Sequence, residues 1–211
     1  MSFFKKLFGS KKKVFTDEQF MESYELKSKA IEGVLGPMEN MVGHAIIPFD
    51  IGGTVDMYYF SEHIAGTGFV TMELINPDGS GPKPNVIGTY ELVAFTKEKY
   101  NAIEETETPF NKIERHICGL FTTIGNYSFQ AVLNPKETCE VPTDGEENAC
   151  LIFDAYKGFQ ISGSIHHLLL CMQVFRSEMD FARANGTEKL IDLLKEAGHY
   201  PYSDLNREKV A

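Results

Sequence analysis

The residues that most invite a chemical reading are two adjacent histidines, His166 and His167, and a histidine two places from a cysteine, His116 and Cys118. A metal site or a proton relay needs imidazoles that converge. His166-His167 lies in the nearly continuous apolar run Ser164 to Phe175, and if that run is a strand its successive side chains point to opposite faces. One ring then packs inward and the other faces out. His116 and Cys118 are the types that a thiol nucleophile and its base require. Their segment has helical periodicity, and two positions on a helix are roughly 200° apart, so the pair diverges. Glu178 and Asp180 are the nearby carboxylates that could complete an unrecognised acid–base site with His167.

The remaining chemistry is acidic. Glu104, Glu105 and Glu107 precede a helical segment, and Asp144, Glu146 and Glu147 lie in a loop containing proline and glycine. Flexible loop carboxylates lack the burial that tunes a pKa for acid–base work, so their reading is an electrostatic docking surface for a basic partner. There is no Gly-x-Ser-x-Gly elbow, His-Glu-x-x-His or phosphate loop. Gly66-Thr67-Gly68 lacks the third glycine of a dinucleotide fingerprint. The expectation is a chain that is not an enzyme and takes no cofactor and no metal.

Charge supports a protein partner. The 211 residues carry a formal net charge of −10, and the first 13 contain five lysines and no acid. The rest is therefore more acidic than the total, which repels phosphate backbones and argues against nucleic acid. Within the basic stretch, Phe3, Phe4, Leu7 and Phe8 recur at helical spacing among the lysines. Residues 3–13 are thus the one place where membrane contact or adaptor docking would be expected. No run reaches the ~18 apolar residues that cross a bilayer, and the N-terminus lacks the long apolar core of a signal peptide. The four cysteines, 118, 139, 150 and 171, match no zinc or disulfide spacing. The expected setting is reducing and cytoplasmic.

These residues must be positioned by a small set of elements. Thr16 and Gln19 form a capping box ahead of a helix running to Leu35, stopped by Gly36-Pro37. Strands are predicted over Met41 to Phe49, Thr54 to Phe60, Gly68 to Ile75 and Ile87 to Phe95, with antiparallel spacing. Thr108 and Pro109 open a second helix whose buried face runs from Phe110 to Ile124, with Gly125 as its stop. Tyr127 to Leu133, Ala149 to Tyr156 and Ser164 to Phe175 are the next predicted strands, with a turn over Tyr156 to Gly163. A helix begins near Ser177, breaks at Asn185-Gly186, and a second follows in which Thr187 caps Glu188 to Ala197. The organisation is a basic tail over 1–15, a single α/β domain over 16–198, and a tail over 199–211. The fold class is α/β (α+β), a sandwich of mixed, largely antiparallel sheets with flanking helices.

The order of Gly66-Thr-Gly-Phe-Val-Thr-Met-Glu-Leu, Tyr90-Glu-Leu-Val-Ala-Phe, the 110–124 helix, Cys171-Met-Gln-Val-Phe-Arg-Ser-Glu-Met-Asp-Phe-Ala and Gly186-Thr-Glu-Lys-Leu-Ile-Asp-Leu-Leu resembles the suppressor-of-fused domain family, in particular its small bacterial members. The resemblance implies an α/β sandwich without catalytic residues. Animal members restrain a transcription factor, and bacterial members are taken to be immunity proteins that neutralise a secreted toxin. The chain departs from many members in having no tryptophan, and both tails lie outside the match. The expected function is a non-catalytic, immunity-protein-like module that neutralises or sequesters a basic, toxin-like protein. The alternatives are a peripheral membrane or assembly adaptor and an enzyme with an unrecognised site.

Overall fold

The computed structural model describes residues 15–101, 107–143 and 147–211. Among these residues, seven strands form one mixed sheet in the order β1-β2-β3-β4-β7-β6-β5. They are β1 (Val42–Gly43), β2 (Met57–Phe60), β3 (Thr67–Val70), β4 (Tyr90–Thr96), β5 (Thr138–Val141), β6 (Ala149–Ile161) and β7 (Ser164–Val174). All pairings are antiparallel except the central one, where β4 runs parallel to β7 with Tyr90 opposite His167 and Val93 opposite Leu170. The sheet is covered by the helices α1 (Asp17–Leu35), α2 (Pro109–Ser128), α3 (Arg176–Asn185) and α4 (Thr187–Glu196). The α+β sandwich expected from the sequence is present, with the sheet as its middle layer.

The alternation of strand side chains builds two cores. Val93, Phe95, Leu168, Leu170 and Met172 pack with Ile31 and Leu35 of α1, Met179 of α3 and Leu190 and Leu194 of α4. Leu92, Phe69, Leu169 and Cys171 pack on the other face with Phe110, Ile117 and Phe121 of α2. Val55, Met57 and Tyr59 share this second face while Tyr58 and Phe60 join the first, as strand alternation requires. Because both faces are covered, every residue of β4 is buried.

The helix starts match the sequence. Thr16 with Gln19 and Thr108 with Asn111 each form a reciprocal capping box, and Pro109 occupies the first turn of α2. Other boundaries differ. Tyr127 to Leu133 is not a strand: α2 continues to Ser128, and the chain turns as Gln130 and Ala131 donate backbone N–H to the Tyr127 carbonyl. Gly125 does not stop that helix. A Cβ there would lie 3.1 Å from the Phe49 ring and 3.2 Å from Leu74, so glycine serves close packing. Of Met41 to Phe49 only Val42–Gly43 pairs, after which Pro48 leads into a 3-10 turn over Phe49–Ile51. Strand β3 ends at Val70, short of the predicted Ile75: Thr71 still donates its N–H to the Leu92 carbonyl, but Leu74 and Ile75 donate to the Glu91 carboxylate rather than to a neighbouring strand. Strand β6 runs on to Ile161, so the expected long turn shrinks to Ser162-Gly163, both at positive φ, as a tight hairpin demands. Helix α4 begins at Thr187 itself, with Gly186 at the cap position and no side-chain cap bond.

Residues 199–211, read as a tail, are bonded into the fold. Tyr202 bridges Phe95 in parallel, and Ser203 donates its N–H to the Phe95 carbonyl. Asp204 accepts from the Thr96 hydroxyl at 2.6 Å and the Lys97 N–H at 2.9 Å. The segment lacks apolar periodicity because it is held by backbone bonds and single polar anchors.

Candidate partner-binding surface

The topology brings the strand ends that flank the two acidic loops to one end of the sheet. Strands β4 and β7 are parallel, so both finish at the same sheet end, and β6 starts beside the end of β7, with Cys150 opposite Val174. The loop after β4 and the turn between β5 and β6 therefore leave the sheet together. Of the six carboxylates singled out above, Glu104, Glu105, Asp144 and Glu146 lie outside the described residues. Glu107 and Glu147 are exposed. Glu107 is already engaged by Arg115 and, at 3.7 Å, by Lys112, both on the first turns of α2. Its charge is partly offset before any partner arrives.

The start of α2 and the C-terminal segment enclose an open depression of ≈ 330 Å³ lined by Glu98, Lys112, Ile113, His116, Asp204 and Leu205. His116 shares a 2.6 Å hydrogen bond with Gln173 Oε1 at the end of β7, and Gln173 donates its N–H to Ser203 Oγ. The C-terminal segment is the part of this surface that sequence reading missed. The Tyr-Pro-Tyr-Ser-Asp stretch, rich in turn-forming and capping types, was its only signal.

No protein-family model matches the chain, and no curated protein matches it. Solved structures do. A chain of a structure described as "the Sufu-Fu complex crystal structure" superposes with a TM-score of 0.57, at 13% identity, over 89% of this chain and 91% of that one. The fold is Sufu-like. At this identity the likeness carries the architecture, and the suppressor-of-fused resemblance is supported at the level of fold. No helix among the described residues is long and apolar enough to cross a membrane.

The fold places the candidate histidine, cysteine and carboxylate groups apart from one another. His166 is buried on the α1 face and shares a 2.6 Å hydrogen bond with Thr89 Oγ1; burial and the Lys27 ammonium push its pKa down. One ring of the pair was expected to pack inward and the other to face out; His167 takes the sheet face opposite His166. It is half-buried, because α2 covers the sheet face it points to. It sits near the start of β7, whereas Glu178 lies beyond the strand's end, roughly 20 Å away along an extended chain. Glu178 is sealed against Arg207, whose Nη1 and Nη2 donate to its two oxygens at 2.6 and 2.7 Å. Burial raises its pKa, but the bonds from Arg207, Val210 and Phe175 outweigh that and hold it below the usual range. His116 and Cys118 diverge as expected: the Cys118 thiol is directed to the Val55 carbonyl, 3.8 Å away, and burial raises its pKa. A thiol so shifted is a poor nucleophile. Among the described residues, no group of three or more His, Cys, Asp and Glu could hold a metal.

Proposed function

We propose that this chain is a non-catalytic protein-binding module that captures a basic partner protein on the acidic end of its sheet and so sequesters or neutralises it. The observation that carries the reading is the exit of both acidic loops from one sheet end, on a chain of formal net charge −10. Carboxylates gathered on one side steer a basic partner and reject acidic ones. A Sufu-like fold supports the reading, since the similar chain was crystallised in a protein complex. By the family resemblance the partner is a toxin-like protein.

The test is affinity capture by the immobilised full chain at low and high salt. The expected catch is one dominant basic protein that salt releases, because the Debye length falls from about 10 Å at 0.1 M to about 3 Å at 1 M. Replacing Glu104, Glu105, Asp144, Glu146 and Glu147 by lysine should abolish capture. A partner held equally well at both salt concentrations, or by the charge-reversed chain, would sink the proposal.

A further inference from the structure

The end of the sheet opposite the acidic loops is apolar. Ile46 is 100% exposed, Val86 80%, Ile51 70% and Ile165 66%, and Phe129 and Val132 are also exposed. These residues come from four segments that the fold ties together. The Phe49 and Phe129 rings lie 6.4 Å apart, joining the Ile46–Ile51 turn to the end of α2. Lys83 donates its N–H to the Ser128 carbonyl, and Asn85 donates to the Leu133 carbonyl, which joins the 82–89 segment to the same place. His167 donates its N–H to the Thr89 carbonyl, which brings in the start of β7 and Ile165. Singly scattered apolar residues are ordinary on a monomer, but exposed apolar side chains on four segments gathered at one end mark a contact surface.

We propose that this end is the face through which two copies of the chain associate. Charge selects that occupant. Segments 44–53, 76–89, 126–136 and 159–167 together contain two acids, Asp50 and Asp78, and two bases, Lys83 and Lys136. Two chains of net charge −10 repel over most of their surfaces, and this nearly neutral end is where they can approach without opposing like charges. A basic partner gains nothing here and is drawn to the other end. Side chains of this size at these exposures present several hundred Å², the order of the about 800 Å² that each partner gives to a standard interface. A two-fold axis lets the same patch serve both copies, leaving the acidic ends facing away and accessible.

Sedimentation equilibrium of the full chain over a wide concentration range tests this. The expected result is the mass of two chains, held as firmly or more firmly when salt is raised, because screening removes the repulsion. Ile46→Asp and Val86→Asp alter exposed positions, so circular dichroism and melting should be unchanged. Each should weaken the dimer by roughly a hundredfold, the loss typical of a residue near an interface centre. Glu147→Lys should leave the dimer intact. The mass of one chain at every concentration, or a dimer indifferent to both aspartates, overturns the inference. Salt-released capture of a basic protein is a separate readout at the opposite end, so the two proposals fail independently.

Discussion

Lys27 Nζ lies 2.8 Å from Glu91 Oε1, and both side chains are sealed from solvent. Lys27 comes from α1 and Glu91 from β4, so the pair spans the junction of helix and sheet. Each group is fully bonded. Lys27 also donates to the Met72 and Ile75 carbonyls at 2.7 Å, and Glu91 accepts from Thr71 Oγ1, Leu74 N and Ile75 N. A buried ion pair is roughly break-even against apolar packing, but its halves are costly alone.

Removing one half should therefore cost more than removing both. Lys27→Met leaves a buried carboxylate facing two carbonyls and should lower the unfolding free energy by about 3–5 kcal/mol. Lys27→Met with Glu91→Gln should recover part of that loss, since the amide still accepts from the Leu74 or Ile75 N–H and needs no counter-charge. Urea denaturation of the wild type, both single variants and the double variant measures the coupling. Additive losses would show that the two groups act separately.

Glu73 predicts a pH effect of the opposite sign to most carboxylates. Burial, with the Asp56 and Glu91 charges added, raises its pKa from 4.5 to about 7, although the Asp56 N–H bond and Lys27 oppose this. The folded state therefore holds the proton more tightly than the unfolded chain. Its contribution is fully present below pH 4.5 and is lost as pH rises through about 7. Glu73→Gln should remove that fall, so that the difference in stability between variant and wild type grows in the variant's favour from pH 4.5 to 7. Paired denaturation curves across this window decide it; a difference independent of pH refutes it.

The C-terminal segment should be a stability element. Arg207→Met leaves the buried Glu178 carboxylate without its two-pronged partner and should cost about 3–5 kcal/mol. In the wild type, Glu178 has a lowered pKa, so its contribution is present above the unfolded value and is lost as pH falls. In Arg207→Met the sign reverses, because acid now neutralises an unpaired buried charge. The variant's deficit should shrink on going from pH 7 toward pH 4. Thermal melts at several pH values read this directly.

Where local chemistry fixes an element, the sequence carries it. Thr16 and Thr108 cap their helices through side chains three residues on, and the alternation of Val55, Met57 and Tyr59 survives into the packed sheet. Long-range causes leave no such trace. Tyr127, Phe129 and Val132 read as a strand because they are apolar, yet all three are exposed at the apolar end. That end is illegible because its members come from four segments that meet only after β4 pairs with β7. The acidic loops were visible as composition, but that both leave the sheet at the same end depends on the same parallel pairing. The engagement of Glu107 by Arg115 depends on the course of α2.

Two glycines of α2 should respond oppositely to the same substitution. Gly119 is exposed, and a Cβ there would meet nothing within 4 Å. Gly119→Ala should therefore yield the ordinary helix-propensity gain of about 0.5–1 kcal/mol, because alanine restricts the unfolded chain more and costs nothing in the fold. Gly125 is buried, and its added Cβ would press on Phe49 at 3.1 Å and Leu74 at 3.2 Å. Both neighbours are themselves buried and packed on other residues, so relief requires the Phe49 turn to move. Gly125→Ala should forfeit the propensity gain and be destabilising, while Gly119→Ala raises the melting temperature. Equal gains at both positions would mean that the Phe49 turn yields freely, and that the close approach of α2 to it does not explain the glycine.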